Sequence, residues 1–84
     1  MGVVKFVLSP AAEHELEQIE QRDPLVFQSL VDDLTMLESD GIDSAEIGVM
    51  FAQWVYLTGP TGRASYWMAP YGDDYWIVES IDVS

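Results

Sequence analysis

Eighty-four residues are enough for one hydrophobic core and too few for two, and a chain that is 49% hydrophobic is too apolar to stay disordered despite its charge. Fifteen acids oppose only Lys5, Arg22 and Arg63, for a formal charge of -12. That balance disfavours a direct grip on nucleic acid, which needs about one Lys or Arg per contacted phosphate, and it repels anionic lipid.

With no cysteine there is no disulfide framework, thiolate metal site or cysteine nucleophile, and the single histidine, His14, rules out a multi-histidine zinc site. No cofactor and no metal are expected. No apolar run approaches the ~20 residues that cross a bilayer. The apolar stretch Val3 to Leu8 lacks a basic flank and leads directly into Ser9-Pro10, so it reads as structure and not as a signal peptide. The expected location is cytoplasmic, without a membrane partner.

In chain order, Val3 to Leu8 reads as a first strand. Ser9 can cap a helix whose first residue is Pro10, with Ala12, Leu16 and Ile19 at helical spacing, running to about Gln21. Asp23-Pro24 repeats the start signal. Phe27, Leu30, Val31, Leu34 and Leu37 then recur at three- and four-residue steps until Ser39-Asp40-Gly41. Glu38 to Gly48 reads as a polar loop and Val49 to Leu57 as one strand. Gly59-Pro60-Thr61-Gly62 is a turn, Arg63 to Ala69 a strand, Pro70 to Asp74 a turn and Tyr75 to Val83 a last strand. The expectation is a single α+β domain over residues 1–84, ordered β-α-α-β-β-β, with four strands, its two helices forming a hairpin and its last three strands a meander.

This chain resembles the RelE/ParE superfamily of toxin-fold proteins, nearest its HigB-like, phage-derived branch. The resemblance is carried by Val4-Lys5-Phe6-Val7-Leu8-Ser9-Pro10-Ala11-Ala12, Glu15-Leu16 and the run Leu30 to Leu37. In the second half it is carried by Trp54-Val55-Tyr56-Leu57, Gly62-Arg63 with Tyr66, and Asp73-Asp74-Tyr75-Trp76-Ile77-Val78. It implies a helical hairpin packed on a twisted, mostly antiparallel four-stranded sheet, and a toxin of a toxin–antitoxin system, with ribosome-dependent mRNA cleavage, gyrase poisoning or storage with an antitoxin as the usual roles. Nuclease members place basic residues on the central strands and near the C-terminus. Here the sheet half holds Arg63 alone, and the last strand offers Glu79, Ser80 and Asp82.

The catalytic candidates are therefore few. Arg63 can stabilise a phosphorane-like transition state, with Tyr66 and Tyr75 expected nearby, but it lacks the acid–base partner such chemistry needs. Asp32-Asp33 and Asp73-Asp74 do not have calcium-loop spacing. The aromatic residues Trp54, Tyr56, Trp67 and Trp76 are candidates for a partner-binding sheet face, and strict alternation sets Tyr75, Ile77, Ile81 and Val83 opposite Trp76, Val78, Ser80 and Asp82. The acids Glu13, Glu17, Glu20, Asp32 and Asp33 are candidates for a steering surface.

The favoured expectation is a divergent toxin-fold protein acting by protein–protein binding, without nuclease activity. Its partner would be an antitoxin or a basic nucleic-acid-binding protein, and homodimerisation stays open. Two alternatives stand beside it: an active mRNA interferase using Arg63, or an acidic phage-encoded inhibitor, such as an anti-CRISPR protein or nucleic-acid mimic. A solvated surface suited to high salt would also account for the acids.

Overall fold

A computed structural model describes residues 5–42 and 45–83. Its elements are β1 (Lys5–Leu8), α1 (Pro10–Arg22), α2 (Pro24–Asp40), β2 (Glu46–Phe51), β3 (Trp54–Thr58), β4 (Ala64–Pro70) and β5 (Tyr75–Val83). Residues 3 and 4 of the expected first strand, and 43 and 44 of the expected loop, lie outside the described residues.

Both helices begin as their capping signals predict. The Ser9 side chain accepts a hydrogen bond from the Ala12 N–H at 3.1 Å, and Asp23 accepts from the Val26 N–H at 3.3 Å. Each serves an N–H that the helix itself leaves unpaired, and each is followed by proline, which has no N–H to satisfy. Gly41, at φ 88°, ends α2 in a conformation that a side chain would resist.

The strands form one sheet in the order β1-β5-β4-β3-β2. β1 runs parallel to β5, and the remaining pairs are antiparallel. The sheet thus has five strands where the sequence predicts four. The stretch read as one strand over Val49 to Leu57 is a hairpin, and the strand before its turn starts three residues earlier, at Glu46, inside the predicted loop. Phe51 pairs with Trp54 across Ala52-Gln53, with Ala52 at φ 55°. Two-residue turns of this kind normally use Gly, Asn or Asp at the positive-φ position, so Ala-Gln carried no turn signal. Ala52→Gly is expected to raise stability by about 1 kcal/mol by relieving that backbone conformation, measured as a higher urea midpoint with an unchanged m-value.

The helices lie on one face of the sheet. Ala12 and Ile19 of α1 and Leu30 and Leu37 of α2 are buried against Val55, Leu57, Tyr66, Met68, Val78 and Ile81. Each fully buried aliphatic side chain contributes roughly 1.5–3 kcal/mol from water exclusion. Val78 and Ile81 both enter this core, which strict alternation along β5 forbids. The register explains it: Met68 pairs with Val78 and Trp67 with Ser80, so Glu79 is an extra residue in a β-bulge. The bulge switches the faces. Trp76 and Val78 point to the helices before it, and Ile81 after it.

Candidate functional site

The two edges of the sheet are treated differently. On β1, the Phe6 N–H donates to the Glu38 carboxylate of α2 at 3.1 Å, so a helix side chain occupies part of that edge. On β2 all six residues are exposed, including Ile47, Val49, Met50 at 67% and Phe51 at 73%. Residues 47–62 contain no charged side chain at all. Natural edge strands are commonly guarded by lysine, proline or an inward-pointing charge. β2 has none of these beyond Glu46 at its start, and only the irregularity between Ile47 and Val49 interrupts its pairing.

β2 joins the sheet face that the helices leave uncovered. Pairing sets Phe51 beside Trp54 and Val49 beside Tyr56, and Tyr56 beside Trp67 of β4. Trp54, Tyr56 and Trp67 are half-buried on this open face. The rings of Tyr56 and Trp67 meet at 5.2 Å between centroids and 52° between planes. The Tyr56 hydroxyl donates to Asp82 of β5 at 3.1 Å, which pins the stack to the last strand. Beside the Trp67 ring lies a depression of about 270 Å³ lined by Phe51, Trp54, Trp67, Glu79 and Ser80. Of the four candidate binding aromatics, three share this face. Trp76 is on the other, packed against the core.

The acids divide in a similar way. Glu13, Glu17, Glu20 and Asp32 are exposed on the helices. Asp33, expected among them, is fully buried and leaves the steering surface. Its carboxylate accepts the Tyr66 hydroxyl at 2.7 Å and the Thr61 backbone N–H at 2.8 Å. Gly59 lies against it so closely that a Cβ there would overlap the carboxylate. Asp33 thus ties α2 to the turn between β3 and β4. A signal for this was present in the sequence: Asp33 falls three residues after Leu30 and four before Leu37, on the buried stripe itself.

Tyr66 is consumed by that tie, and the expected grouping of Arg63, Tyr66 and Tyr75 does not form. Tyr66 is fully buried, whereas Arg63 and Tyr75 are exposed. Arg63 adjoins Ala64, which pairs with Val83, while Tyr75 begins β5 at the opposite end of the sheet. Burial, and then the hydrogen bond and negative charge of Asp33, push the Tyr66 phenol far above its ordinary pKa of 10.0. The folded chain therefore holds a proton that the unfolded chain releases, so this stability is present below pH 10 and lost as the pH rises above it. Tyr66→Phe should cost about 1–2 kcal/mol at neutral pH, because Asp33 loses a donor. It should also flatten the decline of stability above pH 10, read from urea unfolding across alkaline pH.

Among the described residues no group of three or more His, Asp or Glu side chains is placed to hold a metal ion, and no helix is long and apolar enough to cross a membrane. No family model, curated protein or solved structure matches the chain.

Proposed function

We propose that this chain is a divergent RelE/ParE-type protein that works by binding a basic protein, an antitoxin or a nucleic-acid-binding protein, through the β2 edge and the open aromatic face. The observation that carries this reading is β2 itself: six exposed residues, four of them large and apolar, along an edge without charge from Ile47 onward. Unpaired backbone N–H and C=O groups on such an edge accept a further strand, and alternate side chains then supply specificity. The helical hairpin on a mostly antiparallel sheet agrees with what the resemblance implies. The separation of Arg63 from Tyr75, and the sequestration of Tyr66, favour binding over RNA cleavage. A charge of -12 speeds approach of a basic partner, while the uncharged edge provides the contact.

A benzophenone side chain placed at Met50 in the native host cell should give one discrete photo-adduct, whose second component, identified by mass spectrometry, is a basic protein. The same probe at Glu17 should give none. An adduct of twice the chain mass would make the edge a homodimer contact, and an acidic partner or no adduct would overturn the reading. Codon-linked cleavage of mRNA in a translation extract would return the protein to the nucleases.

A further inference from the structure

The depression on the open face has a chemistry more specific than a general contact surface. Its volume of about 270 Å³ is below the ~300–1,000 Å³ of small-molecule sites, so it suits a single side chain. Phe51, Trp54 and Trp67 supply aromatic surface from three successive strands, and the exposed Glu79 of β5 stands beside this mostly apolar lining.

The walls are held in place. Trp67 leans on Tyr56, whose hydroxyl is anchored on Asp82. Glu79 is the extra residue of the β5 bulge, and its carbonyl accepts the Ser9 hydroxyl at 2.9 Å, fixing the bulge to the start of α1. Among the described residues nothing hydrogen-bonds the Glu79 carboxylate. Nor do Lys5, Arg22 or Arg63 line the depression, so among the described residues no Lys or Arg is placed there to neutralise it.

We infer that this depression is a receptor for an arginine side chain carried by the partner. The inference rests on the protein-binding reading above and assigns its recognition chemistry. A guanidinium is planar and weakly hydrated; it stacks on tryptophan faces while forking onto a carboxylate. Its aliphatic stem covers apolar wall that a bare ammonium would leave wet. A purely apolar side chain would satisfy the rings but would bring Glu79 no counter-charge, and a charge of -12 selects against anionic ligands altogether.

The test uses the intact chain, 15N-labelled, titrated with N-acetyl-arginine methylamide and with its neutral isostere N-acetyl-citrulline methylamide. The arginine probe should shift the Trp54 and Trp67 indole N–H resonances saturably, at least tenfold more tightly than the citrulline probe. Glu79→Gln should reduce arginine affinity about tenfold, with an unchanged thermal melt as the folding control. Equal affinity for both probes, or tighter binding of N-acetyl-leucine methylamide, would overturn the inference and leave an apolar anchor pocket. The two readings fail separately. A Met50 adduct with no arginine preference removes only the pocket chemistry, whereas arginine binding without any adduct upholds the receptor and removes the proposed partner edge.

Discussion

Gly59→Ala should destabilise the domain by about 3 kcal/mol or more, which for a chain of this size lowers the melting temperature by roughly 12–24 °C. The added methyl would occupy the position of the Asp33 carboxylate. The carboxylate must then move, and the Thr61 N–H and the buried Tyr66 hydroxyl each lose their acceptor. Each buried polar group left unpaired costs about 1–3 kcal/mol, against a typical total stability of about 5–15. Asp33→Ala should cost a similar amount by the same losses. The decisive measurement is the double variant. If the glycine is needed only to admit the carboxylate, Gly59→Ala should add almost nothing once Asp33 is alanine. Full additivity in urea unfolding would show that Gly59 is constrained by something else.

Val49→Lys should weaken the partner identified by cross-linking at least 100-fold, yet leave folding stability within about 0.5 kcal/mol, as exposed substitutions generally do. Val49 lies mid-strand on the open edge and is 53% exposed, so the chain has little packing to lose there. A bound strand would have to bury the new ammonium next to its own basic residues, and lysine is the residue natural sheets use to keep edges unpaired. Leu25→Lys on α2, at a still more exposed position, should leave binding intact. Binding should also weaken with added salt, since much of the attraction comes from acids outside the contact. Unchanged affinity in Val49→Lys would move the interface off β2.

The elements that could be read from the sequence were those with local chemistry. Ser9-Pro10 and Asp23-Pro24 open helices because their side chains and rings solve a local backbone problem, and Gly41 and the Gly59–Gly62 turn end elements for similar reasons. Three features depend on strand pairing or tertiary contact and not on local residue preference, and these were not read in full. Ala52 adopts positive φ because the strands on either side pair, not because alanine prefers it. The Glu79 bulge exists only in register with Trp67 and Met68, so counting alternate residues misplaced Ser80 and Ile81. Asp33 stands on the Leu30–Leu37 stripe, a sign of its burial, but its partners Tyr66 and Thr61 come from more than 25 residues away and could not be read. For the candidate site, the aromatics Trp54, Tyr56 and Trp67 were visible as a group. Phe51 and Glu79 were not, because one lay hidden in a misread strand and the other in a bulge.

The parallel pairing of β1 with β5 has a consequence for synthesis. Lys5 pairs with Tyr75 and Leu8 with Val78, so strands from the two ends of the described chain lie side by side. Contacts of such high sequence separation close late and slow folding. During translation both helices leave the ribosome well before residues 75–83, and until then α1 has no β5 to pack on. The nascent chain therefore carries an unsatisfied helical hairpin and an edge strand with no neighbour. Folding is expected to be committed only when the final strand emerges, in one step and not by growth from the first residues.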